Sequence, residues 1–211
     1  MPLRALLSEV HPAWYASEGG PAFDPALVEL ARRSALGQRL LVRALPHDFR
    51  DGLLAPRPGA DTQSTTLQRW PRTRALALAR DLGVLACAPM IRGEVRREPV
   101  RWLRKTLGNS YLLALDRSIW DGRLERATHA RLAVEWDTLV AAPDFLTNPA
   151  PLGAFLDRQG RGELLDWASR RNRPLADWVR LLHDDESPRP AHLPEKSVLV
   201  VVTHHDNRDG D

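Results

Sequence analysis

Cysteine is nearly absent from this 211-residue chain. Cys87 stands alone and can form no internal disulfide, which excludes a disulfide-stapled scaffold and favours a reducing compartment. Lysine is almost as scarce, with Lys105 and Lys196 alone among 30 basic residues, so nearly all the positive charge is guanidinium. Long apolar runs are missing too. No clean one is longer than Val198 to Val202, which falls far short of the roughly 20 residues a membrane-spanning helix requires. The opening MPLRALLSEVHP has one Arg and an apolar patch too short for a signal-peptide core, so the expectation is a cytoplasmic protein.

Catalytic signatures are lacking as well. There is no G-x-S-x-G nucleophile elbow. Gly160-Arg161-Gly162 is too short for a phosphate loop and has no following Lys-Ser/Thr pair. His204, His205 and Asp206 could meet a divalent ion but have no fourth ligand at structural spacing. The other histidines, at 11, 47, 129, 183 and 192, are scattered singly and read as surface or hydrogen-bonded residues. Cys87 lies beside an apolar stripe and reads as a small packing residue. The chain is expected to be no enzyme and to need no cofactor or metal.

What is present describes an ordinary folded protein: 43% hydrophobic residues, 27% charged and seven Trp to anchor a core. The formal net charge is only +3, but it is unevenly spread. Residues 67–108 hold ten basic side chains against three acidic, a net of +7, whereas residues 183–211 hold three against seven, a net of −4. Such polarity bears on docking more than on folding.

Helical periodicity dominates the chain. Asp24 before Pro25 marks a helix start, and a helix is expected from there to about residue 45, where Pro46 ends it. Residues 47–66, rich in Pro, Gly, Ser and Thr, read as a surface loop. Ala75, Leu78, Ala79, Leu82, Leu85 and Ala86 then repeat as one buried helical stripe until Pro89 interrupts it. Pro99 opens another helix with Val100, Leu103, Leu107 and Tyr111 inward. A third follows over residues 124–142, then shorter helices near 152–157 and 162–170, and a last one after Pro174. Residues 187–194 read as Pro-rich linker, residues 197–203 (SVLVVVT) as a β-rich run, and the rest as a polar tail. The run could pair within the domain, stay disordered or add to a partner's sheet. The fold expected is mainly α: a compact multi-helix domain over residues 1–186, with room for one short strand within 187–211.

The basic residues Arg92, Arg96, Arg97, Arg101, Arg104 and Lys105 are the candidate partner-binding set. On a helix begun at Pro99 the last three gather away from Leu103 and Leu107. A solvated charged face, a protein-docking surface and a phosphate-binding surface all remain open for them.

The order of residues in this region resembles a known family. Leu78-Ala79-Arg80-Asp81-Leu82-Gly83, then Leu85, Ile91-Arg92, Val95, Pro99-Val100, Leu103 and Leu107, is similar to the central segment of the type III secretion SctK family, the YscK, PscK and OrgA-like proteins. His11-Pro12-Ala13-Trp14-Tyr15 resembles the Pro-x-x-Tyr element near that family's N-terminus. The likeness covers about a third of the chain, residues 70–115 and the short N-terminal element, and does not extend to SVLVVVT. It implies a non-enzymatic adaptor of the injectisome sorting platform. Such an adaptor would link the cytoplasmic domain of the inner-membrane ring protein (SctD-like) to the pod protein (SctQ-like). The alternative is a basic helical nucleic-acid-binding regulator.

Overall fold

A computed structural model gives the fold and describes residues 3–15, 23–47, 49, 70–171, 173–184 and 186–207. Among these residues there are eleven α-helices and no β-strand: α1 (Leu3–Glu9), α2 (Pro25–Arg32), α3 (Ala35–Ala44), α4 (Arg72–Ala86), α5 (Ala88–Gly93), α6 (Arg97–Leu107), α7 (Ser110–Leu115), α8 (Arg126–Ala141), α9 (Ala150–Arg171), α10 (Arg173–Leu182) and α11 (Glu195–Asn207). A 3-10 turn spans Pro12–Tyr15. The fold is all-α, and no described helix is long and apolar enough to cross a membrane. Most of the loop expected over 47–66 and the end of the polar tail lie outside the described residues. The chain divides into two compact units: Met1–Ala75 with Leu165–Ser187, and Leu76–Leu164 with Pro188–Asp211.

The first unit is built on a small aromatic-aliphatic core. Leu7, Val10, Tyr15, Val28, Leu41, Leu45, Phe49, Trp178, Leu181 and Leu182 bury their side chains together. Polar groups lock the N-terminal segment to α10. The Trp14 indole Nε1–H reaches the carbonyls of His183 (2.8 Å) and Arg180 (3.1 Å), and the His11 amide donates to Leu181 O at 2.7 Å. Tyr15 Oη donates to Leu7 O at 3.0 Å, and burial pushes its phenol up to about 12, partly opposed by Arg32.

The single helix expected from residue 25 to 45 is two. Asp24 caps α2 by accepting the Ala26 amide at 2.8 Å, with Pro25 as its first residue. The chain then leaves helical geometry at Ser34, whose hydroxyl caps α3 by accepting the Gly37 amide at 3.0 Å. Both halves keep the apolar spacing that made them look continuous. The corner between them turns on a two-residue connection.

The second unit centres on α4, whose expected stripe is buried from Leu78 through Ala86. It crosses α9 at unusually short range. A Cβ on Gly160 would lie 1.7 Å from Ala79 O, and one on Gly83 would lie 2.0 Å from Leu156 O, so only glycine admits this approach. Arg80 and Asp157 pair beside the crossing. The two short helices expected around residues 152–157 and 162–170 are therefore one 22-residue helix, with Gly160 and Gly162 in its interior. Glycine there costs about 1 kcal/mol of helix propensity relative to Ala, which the close packing offsets.

The β-rich run is also helical. Residues 197–203 fall inside α11, where Ser197, Val198, Val201, Val202 and His205 are buried at a helical period. Strand propensity is a weak preference that burial overrides, and a helix satisfies the backbone groups for which a lone strand would need a partner. Side chains fix its register: Ser197 Oγ donates to Ile119 O at 2.8 Å, and His205 Nε2 meets Asp81 Oδ2 at 2.8 Å. Ser110 Oγ donates to the other Asp81 oxygen.

Candidate partner-binding surface

Helix α6 carries most of the basic residues singled out by the sequence. Glu98 sits in its first turn and Arg104 and Lys105 in its last, each favourable to the helix dipole. Gly108, at a φ of 55°, ends it, and the Gly108 amide closes on Arg104 O at 3.1 Å. Leu103 and Leu107 are buried, and Trp102 packs on Phe145 with ring centroids 4.5 Å apart. On the outward face Arg97, Arg101, Arg104 and Lys105 are all exposed, at the i, i+4, i+7, i+8 spacing of one stripe. An apolar group precedes the cations: Val95, just before the helix, is 86% exposed.

The six candidates separate by role. Arg92 does not belong to the outward set: its guanidinium donates to the carbonyls of Ala114, Trp120 (3.0 Å) and Asp121 (3.2 Å), and its pKa is lowered by burial first and by Arg117 second. It clasps the end of α7 and the segment after it. Arg96 is paired with Glu94, Nη2 to Oε2 at 2.6 Å, which holds the Glu94 carboxyl below the usual range. Arg101 has a loose partner in Glu98 at 3.7 Å. Arg97, Arg104 and Lys105 make no ion pair among the described residues. The face is thus a cationic stripe of four, with Arg96 at its edge half-neutralised.

No family model, curated protein or solved structure matches the chain.

Sequence reasoning missed a buried polar cluster in the same unit. Glu163 accepts the backbone amides of His192 (3.0 Å) and Leu193 (2.9 Å) and the Gln159 side-chain amide (2.8 Å). His192 Nδ1 lies 3.1 Å from Glu163 Oε1, and Nε2 meets Ala86 O at 3.0 Å. Arg131 donates to Gln159 Oε1, and Arg189 pairs with Glu135. Every oxygen of Glu163 is committed, which suits a clasp on residues 188–193 and leaves no vacant coordination site. A buried Gln159–Glu163 pair in the interior of a helix, facing a His between Pro190 and Pro194, was the available signal.

The remaining candidates for chemistry resolve as packing or tethering groups. Cys87 is fully buried, and burial, reinforced by Glu163, pushes its thiol well above the ordinary range, so it carries no thiolate near neutrality. Among the described residues no three His, Cys, Asp or Glu side chains gather as a metal site. In the first unit an open cleft of about 420 Å³ is lined by Pro46, Phe49, Ser169, Arg173, Asp177 and Arg180. Among the described residues its one hydroxyl, Ser169 Oγ, donates to Asp166 O at 2.8 Å and is not poised against a base.

Proposed function

We propose that the chain is a non-enzymatic cytoplasmic adaptor of a type III secretion sorting platform, of the SctK kind, working at the cytoplasmic side of the inner membrane. In that reading it links an SctD-like ring protein to an SctQ-like pod protein. The observation that carries it is the outward stripe Arg97, Arg101, Arg104 and Lys105, with Val95 exposed two residues before it. Cations bordering an apolar side chain suit a protein partner, which needs both steering charge and desolvated area. The resemblance adds support because most of its apolar positions have a physical task here: Leu78, Leu82, Leu85, Ile91, Leu103 and Leu107 are buried, while Val95 is exposed.

The test is a pull-down or two-hybrid assay of the full chain against SctD-like and SctQ-like proteins encoded beside it. Binding to at least one is expected. Binding to neither sinks the reading.

The same cations favour one other reading, a nucleic-acid-binding regulator. It calls for DNA or RNA binding that weakens steeply with salt and on neutralising Arg97, Arg101 and Arg104. No binding at low salt would eliminate it.

A further inference from the structure

The adaptor reading leaves the cleft of the first unit without a task. Its volume of about 420 Å³ falls within the roughly 300–1,000 Å³ of small-molecule sites. The lining divides by chemistry. Pro46, Phe49 and Ala176 supply apolar surface, and Ser169, Arg173, Asp177 and Arg180 supply polar groups. On α10, Arg173, Ala176, Asp177 and Arg180 stand at i, i+3, i+4 and i+7, so helix geometry turns all four to one side.

Charge in the cleft does not balance. Two guanidiniums face one carboxylate. Asp177, with a side chain only 9% exposed, pairs with Arg173 at 4.0 Å, whereas Arg180 is exposed and makes no ion pair among the described residues. Ser169 spends its proton on Asp166 O, which leaves Arg180 as the donor open to a ligand.

The two sides of the cleft are tied together in advance. Trp14 packs edge-on against Phe49, with ring centroids 5.0 Å apart, and its indole N–H reaches Arg180 O at 3.1 Å. One side chain therefore holds residue 49 and the end of α10 in a fixed relation, and the His11 amide on Leu181 O adds a second tie. A site built this way loses little ordering entropy when it is filled.

We propose that this cleft binds a small organic carboxylate, one negative group on a compact apolar body, with Arg180 as the recognising residue. A guanidinium meets a carboxylate through two parallel N–H donors, and the apolar body covers Pro46, Phe49 and Ala176. A single surplus positive charge suits a monoanion. A compact dianion such as free phosphate gains nothing from the apolar lining and is repelled by Asp177. The site lies in the first unit, apart from the α6 stripe in the second, and does not depend on the adaptor reading.

The test titrates the full chain with 3-phenylpropionate, with its neutral amide 3-phenylpropionamide and with inorganic phosphate, read by the Ala176 methyl and Phe49 ring resonances in NMR. The carboxylate is expected to shift both saturably, and the amide and phosphate to bind at least about tenfold more weakly. Arg180→Gln should weaken the carboxylate at least about tenfold with unchanged melting, because the backbone carbonyl that holds Trp14 is retained. Arg180→Glu should transfer the preference to the cation 3-phenylpropylamine, a reversal that a merely structural role for Arg180 would not produce. No saturable shift with 3-phenylpropionate, equal binding of the amide or of phosphate, or undiminished binding in Arg180→Gln overturns the proposal.

Discussion

Helix α6 and the α2–α3 hairpin are both short amphipathic surface elements, yet one turns arginines to solvent and the other leucines. The two exposures have different costs. A guanidinium in water is well solvated, so the stripe Arg97, Arg101, Arg104, Lys105 is stable without a partner and can only steer or select one. An exposed leucine forgoes about 25 cal/mol for each Å² that could be covered, so the hairpin holds unused binding energy. The charge on α6 is thus satisfied by water alone, whereas the exposed leucines of α2 and α3 are not.

Arginine itself divides the same way within the second unit. Arg92 serves three backbone carbonyls, while Arg97 and Arg104, a few residues on, serve none among the described residues. Residue type alone says nothing of this. The fold decides which guanidinium becomes structure and which remains surface.

These contrasts can be broken experimentally. The largest effect is expected from Gly160→Val at the α4–α9 crossing, where a Cβ has no room: a loss above roughly 3 kcal/mol or failure to fold, read by urea denaturation. Wild-type stability in that variant would refute the crossing. Arg92→Ala should cost about 2 kcal/mol by orphaning carbonyls, whereas Arg97→Ala and Arg104→Ala should each stay within about 0.5 kcal/mol. Equal costs would erase the distinction between clasp and surface.

A smaller effect concerns pH. The Tyr15 phenol is raised from 10.0 to about 12 in the folded chain, so the unfolded chain releases this proton first as pH rises. Its contribution is intact below pH 10.0 and lost as pH climbs toward about 12. Tyr15→Phe should flatten that alkaline decline in a melting series, and an identical slope in both proteins would contradict the burial of the phenol.

Much of the architecture was legible in the sequence. The α4 stripe, the stop near Pro89, the α6 face and the helix after Pro174 follow from apolar spacing and proline placement, which report local geometry directly. Three features were not legible, for one physical reason. The break at Ser34, the uninterrupted α9 through Gly160 and Gly162, and the helical state of residues 197–203 are each settled by what packs against the segment. Glycine reads as a break until another backbone is seen to need its missing Cβ, and valine reads as strand until its buried period is known. The site behaved alike: the cluster Arg92 to Lys105 was visible as charge, but its division into a clasp, an ion pair and an outward stripe required the fold. The outward placement of Leu27 and Leu30 on α2 likewise required the fold, since helical spacing does not say which face turns to solvent.

The most direct measurement of the central claim is partner affinity in a chain whose α6 stripe is neutral. Arg97→Gln, Arg101→Gln, Arg104→Gln and Lys105→Gln together should leave melting nearly unchanged and weaken binding to the SctD-like or SctQ-like partner at least about tenfold, more so at low salt. Undiminished affinity in that variant, with the fold intact, would contradict the assignment of this face to a partner.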